Sequence, residues 1–102
     1  MDNQKLKIAA AACQLDLARA DFWEDVEEMK PIQVGAILCE ADDVAFGWSG
    51  KFDGRAMFSV LVESTPGVRT WCECELHFSG HMEAGEPLIY CMSADVEQNA
   101  EA

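Results

Sequence analysis

Residues 55–78, RAMFSVLVESTPGVRTWCECELHF, decide the fold. Ala56, Phe58, Val60 and Val62 alternate with Arg55, Met57, Ser59, Leu61 and Glu63. After Thr65, Pro66 and Gly67 the pattern resumes: Val68, Thr70, Cys72, Cys74, Leu76 and Phe78 alternate with Arg69, Trp71, Glu73, Glu75 and His77. A period of two marks strands buried on one face. Two even-numbered faces join across a hairpin only through an odd number of loop residues. Thr65, Pro66 and Gly67 supply a three-residue loop with Gly67 free to take positive φ; a five-residue version stays open because Pro66 fits the shorter loop awkwardly. This register sets Arg69 opposite Glu63, Trp71 opposite Leu61, Glu73 opposite Ser59 and Glu75 opposite Met57. The face turned from the core then carries Trp71, Leu61 and Met57, ringed by Glu73 and Glu75. These are cross-strand pairs worth a few tenths to about 1 kcal/mol each, and as a cluster they form a second candidate surface for a partner or dimer.

Outward from this stretch, alternation predicts further strands at 33–40, 44–49 and 87–94, beside 55–63 and 68–78. Lys51, Phe52 and Asp53, flanked by Gly50 and Gly54, serve as the preceding hairpin loop. Phe46, Trp48 and Phe58 are expected to fill the core, or else to line a small-ligand pocket. From Asn3 to Lys30 there is no Gly or Pro, so this segment reads as helix stopped by Pro31. On a helical wheel Ile8, Ala11, Ala12, Leu15, Ala18, Phe22, Val26 and Met29 form one apolar face. Leu6, Ala10, Cys13 and Leu17 form a second stripe nearly opposite. Asp21 followed by Glu24 has the spacing of a cap, placing a break near Arg19 to Asp21. The expected fold is α+β: one long or two short N-terminal helices packed on a four- to five-stranded antiparallel meander sheet. Residues 1–94 form a single domain, and 95–102, lacking apolar periodicity, a flexible acidic tail.

Nineteen acids against seven bases give a net charge of −12. That argues strongly against direct nucleic-acid binding, which needs a basic surface, and against docking on anionic membranes. No stretch approaches the roughly 18 apolar residues of a membrane span, and the apolar run from Ile8 to Ala12 is shorter than the roughly 7–15 residues of a signal core. Five cysteines, an odd number without a regular framework, point to free thiols in a reducing cytoplasm.

Few residues suggest catalysis. Cys72 and Cys74 with His77 and His81 nearby invite a zinc site, but alternation puts both thiols on the core face and His77 on the other. A Cys–His nucleophilic pair needs a cation to lower the thiol pKa, and no Lys or Arg follows Arg69. Phosphate-loop, nucleophile-elbow and His-Glu-x-x-His motifs are missing. The expectation is a chain that is not an enzyme, with no catalytic residues, metal or cofactor.

The segment from Asp21 to Glu28 holds five carboxylates in eight residues and no base. On the wheel Asp21, Glu24, Asp25 and Glu28 share one face, with Trp23 beside them. At about 1.5 Å per residue this is roughly one charge per 2.4 Å, against about one per 1.7 Å in duplex DNA. Like charges at helical spacing oppose folding by a few tenths of a kcal/mol per pair. Such a face is either a solvated, solubilising surface or one shaped for a basic partner, with Trp23 as an anchor. In general character the chain resembles stoichiometric inhibitors that occupy basic nucleic-acid-binding surfaces, such as phage anti-restriction and anti-CRISPR proteins or bacterial immunity proteins that block toxin nucleases. That resemblance implies a basic protein partner, a nuclease or a CRISPR or restriction effector, bound through nucleic-acid mimicry. The alternative is a homodimeric adaptor packing through Leu6, Ala10, Cys13 and Leu17.

Overall fold

The alternating stretch folds into the central hairpin of one antiparallel sheet. The structure is a computed structural model, and it describes residues 2–99. In chain order the elements are α1 (Asp2–Ala12), α2 (Trp23–Glu27), β1 (Gln33–Val34), β2 (Val44–Phe46), β3 (Lys51–Thr65), β4 (Val68–Glu83) and β5 (Glu86–Asn99), with 3-10 turns at Leu17–Arg19, Ala41–Asp43 and Trp48–Gly50. The sheet runs β1-β3-β4-β5, with β2 also on β3. The helices cover one face, giving the α+β meander that the sequence predicts.

The central register matches the parity argument. Met57 pairs with Glu75, Ser59 with Glu73 and Leu61 with Trp71. Arg69 and Glu63 meet through an ion pair of 3.2 Å. The connection is tighter than a three-residue loop: Thr65 pairs with Val68, and a register shift between Val62 and Thr65 supplies the extra residue. Gly67 has φ +84°, the left-handed region that glycine enters without steric cost. The Glu63 carboxylate accepts from the Gly67 N–H at 3.0 Å. That bond and the Arg69 guanidinium hold its pKa below the usual value.

Other boundaries move. Of the expected loop Lys51, Phe52 and Asp53, only Lys51, the first residue of β3, lies beyond the β2 pairing; Phe52 pairs with Phe46 and Asp53 with Ala45 inside the sheet. The connection is instead the five residues from Gly47 to Lys51, still an odd number, so the core faces stay aligned. Trp48 is lifted onto its tip and is 90% exposed. Phe46, Trp48 and Phe58 therefore line no common pocket: Phe58 lies in the core, and Phe46 and Trp48 are exposed. The predicted 33–40 strand reduces to β1 and a single bridge between Leu38 and Met57. Gly35 lies against the backbone of β3, its N–H donating to Ser59 O at 2.7 Å.

β4 and β5 run past their predicted ends and join through Ala84 and Gly85, both at positive φ. β5 continues to Asn99, pairing Asp95 with Glu75 and Val96 with Cys74. Residues 95–99 are thus strand rather than tail, and 100–102 lie outside the described residues. Backbone ladder bonds hold this segment, and they leave no signature in side-chain periodicity.

The N-terminal helix breaks earlier than capping predicts. α1 ends at Ala12, and Asp16 caps the next 3-10 turn by accepting from the Ala18 N–H at 3.2 Å. An Asp side chain competing for backbone N–H groups explains the early break. The core gathers Ile8, Ala12, Leu17, Ala20 and Val26 against the even-numbered residues of β3 and β4, among them Phe58, Val60, Cys72, Cys74 and Leu76. Ala18 and Phe22, expected on the buried helix face, are exposed.

Candidate partner-binding surface

The acidic segment is placed by backbone bonding to β5. Asp21 donates its N–H to Met92 O at 2.7 Å and accepts from the Ala94 N–H at 3.1 Å, an isolated parallel bridge centred on Ser93. Asp21 is therefore a sheet residue, not a helix cap. The position before α2 belongs to Phe22, which makes no side-chain capping bond and has φ 66° and ψ 15°. The left-handed region costs a non-glycine residue about 1–2 kcal/mol. The turn sends the Phe22 ring into solvent, 60% exposed. It rotates Trp23 inward against Phe58, with ring centroids 6.1 Å apart. This reverses the expectation that buried Phe22 and left Trp23 as the anchor. A helical wheel assumes constant rotation, and one residue at positive φ resets its phase.

α2 buries Val26, while Asp21, Glu24, Asp25, Glu27 and Glu28 are exposed. Among the described residues the ion pairs use Glu63, Glu75, Glu83 and Glu86, and none engages these five carboxylates. Glu24 and Asp25 lie in the first turn, where the helix dipole favours them. Glu28, at the other end, has no such relief. The arrangement is an unneutralised acidic segment that also exposes the Phe22 ring.

The second surface assembles as its register requires. Trp71 is exposed, Leu61 and Met57 are half-buried and Glu73 is exposed. Glu75 is less available: it pairs with Arg55 at 3.2 Å and His77 at 2.9 Å. The helical stripe does not hold together. Leu6 and Ala10 on α1 and Cys13 just past its end are exposed, but Leu17 is in the core, because the chain has left α1 before reaching it.

Three sites of possible chemistry take definite positions. Cys72 and Cys74 are buried on the core face, and His77 is exposed on the opposite face. Cys39 has its thiol pushed up to about 11 by burial first and then by Asp43, Cys13 and Glu40. An open groove of about 390 Å³ runs between the Cys13–Ala18 stretch and the Val34–Ile37 stretch, with Trp23 on its wall. Among the described residues no three or more His, Cys, Asp or Glu side chains are grouped to hold a metal ion. No described helix is long and apolar enough to cross a membrane.

Phe22, Phe46 and Trp48 are exposed aromatics that sequence reasoning placed in the core. For Trp48 a signal was present in Gly47 and Gly50, which flank a turn. For Phe22 no local signal exists, since its conformation follows from the Asp21 bridge to a strand 70 residues away. Compared with known proteins, the chain matches no family model, no curated protein and no solved structure.

Proposed function

We propose that the protein acts by occupancy rather than by catalysis, binding the basic, nucleic-acid-binding surface of another protein through Asp21, Glu24, Asp25 and Glu28. Phe22 takes the anchoring role first assigned to Trp23. The observation that carries this reading is the set of unpaired, exposed carboxylates in the same short segment as a ring exposed at positive φ. Strained backbone that presents a side chain to solvent is found where function maintains it. Clustered, unpaired carboxylates steer a basic surface toward them, and the ring adds contact area that salt does not screen. The partner class is a cytoplasmic nuclease or a CRISPR or restriction effector, and the mode is nucleic-acid mimicry. A toxin nuclease blocked by an immunity protein uses the same chemistry. The adaptor reading through the helical stripe is weakened by the burial of Leu17.

The test is affinity capture of basic nucleic-acid-binding proteins, followed by salt titration of the complex. Reversing Asp21, Glu24, Asp25 and Glu28 to Lys is expected to abolish binding. Milder single reversals should flatten the salt dependence. Binding and salt dependence that survive the fourfold reversal would sink the proposal.

A further inference from the structure

We infer that Cys13 and Cys39 form a thiol-oxidation site, which a peroxide converts into an intramolecular disulfide fastening the end of α1 to the sheet edge. Cys13 Sγ lies 4.0 Å from Cys39 O, so the two side chains stand within one residue of each other. Both line an open groove of about 440 Å³ with Leu38, Glu40, Asp43 and Met57. The meeting is tertiary: α1 packs on the Ala41–Asp43 turn, which brings together two cysteines 26 positions apart in the chain.

The two thiols differ in the way a stepwise oxidation requires. Cys13 is exposed and Cys39 half-buried. Leu38 exchanges backbone bonds with Met57 at 2.8 and 2.9 Å, and the Glu40 N–H donates to Asp43 Oδ2 at 3.1 Å. Cys39 is fixed between them, its thiol donating to Arg55 O at 3.4 Å. Cys13 follows the last residue of α1, where helix ends fray, so it makes the approach to a bond of about 2.05 Å. Burial first, then Asp43, Cys13 and Glu40, push the Cys39 thiol up to about 11, which keeps it from attacking peroxide directly. The other thiols are poorly placed. Cys72 and Cys74 have no exposed surface, and Cys91 stands on β5, at the edge of the sheet opposite β1.

With hydrogen peroxide as oxidant the chemistry balances. The Cys13 thiolate attacks the O–O bond, giving a sulfenic acid and a hydroxide that takes up the proton Cys13 released. The Cys39 sulfur then attacks the Cys13 sulfur. The S–O bond breaks, the S–S bond forms, and the oxygen leaves as water with the Cys39 proton. Two thiols and one peroxide thus become one disulfide and two waters. The bridge closes a loop of 27 residues that contains Asp21 to Glu28. By loop entropy a cross-link of that span lowers the unfolding constant by on the order of 100-fold. Oxidation therefore tethers the chain on both sides of the acidic segment, and it does so whether or not that segment binds a basic partner.

Folded wild-type protein at low micromolar concentration is treated with a small excess of hydrogen peroxide, unfolded, alkylated and digested with trypsin without reduction. The expected product links peptides 8–19 and 20–51, and three of the five thiols are alkylated. The urea unfolding constant should be at least about tenfold lower than that of the reduced protein, and dithiothreitol should restore it. Cys13→Ser and Cys39→Ser should each abolish the link, and Cys91→Ser should keep it. If a variant fails to fold, the wild-type peptide map decides alone. A chain that keeps all five thiols overturns the inference, as does one whose Cys13 advances to the sulfinic acid while Cys39 stays alkylatable. So does a bridge to Cys91, a bridge between two chains, or a Cys13–Cys39 bridge that leaves the unfolding constant unchanged.

Discussion

Phe22 and Trp23 are adjacent, both aromatic, and assigned opposite tasks by a single backbone angle. Trp23 packs on Phe58, so Trp23→Ala should cost about 2–4 kcal/mol, toward the lower end of aromatic truncations because the ring is only half-buried. Phe22→Gly removes an exposed ring and relieves the positive φ. Stability should stay level or rise by up to about 1 kcal/mol, while affinity for a basic partner falls at least tenfold. Urea unfolding of the two variants checks the contrast, and equal destabilisation would contradict it. The thiols offer a second residue-level test. At pH 8 a thiol reagent should label exposed Cys13 and Cys91 in the folded protein and reach Cys72 and Cys74 only on unfolding. Cys39, its pKa pushed up to about 11, should react slowly until the pH nears that value. Its folded form keeps a proton that the unfolded chain releases above pH 9, so its contribution to stability is present below pH 9 and is lost as the pH rises toward 11.

Among the elements, the last strand differs most from its sequence-based expectation. If residues 95–99 were a loose tail, deleting everything after Ala94 would be silent. As strand, they pair with Cys72 to Glu75 of β4, and their loss leaves that edge unpaired. Two or three ladder bonds at about 0.5–1.5 kcal/mol each put the expected destabilisation near 1–3 kcal/mol, read as a lower urea midpoint. The β3–β4 pairing was legible because burial on one face imposes alternation, which fixes parity and then register. The 95–99 pairing was not, because the run Asp95, Val96, Glu97, Gln98, Asn99 carries no apolar alternation. The helical segment lies between these cases. Its helix formers were plain from Asn3 to Lys30, yet Asp16 and the Asp21 bridge divided it at places no wheel displays.

At the scale of the whole molecule the net charge of −12 governs behaviour. Carboxylates crowded on α2 repel one another in the folded state, and screening relieves this within a Debye length of about 10 Å at 0.1 M salt. Raising salt from about 0.05 to 0.3 M should therefore lift the thermal midpoint by a few degrees, on the order of 1 kcal/mol of stability. A flat or falling midpoint would mean that attraction within the Arg55–Glu75 and Arg69–Glu63 pairs outweighs the repulsion.

The sequence by itself determined the class of fold, the central hairpin and its register, and the net charge of −12. These follow from composition and from a period of two, which a chain carries locally. Only the tertiary structure decided which aromatic faces solvent beside the acids, that Leu17 belongs to the core and that β5 runs to Asn99. Each of these depends on hydrogen bonds or packing between segments far apart in the chain. Asp21 turns outward because β5 offers it Met92 O and the Ala94 N–H, and no pattern within residues 2–30 encodes that meeting.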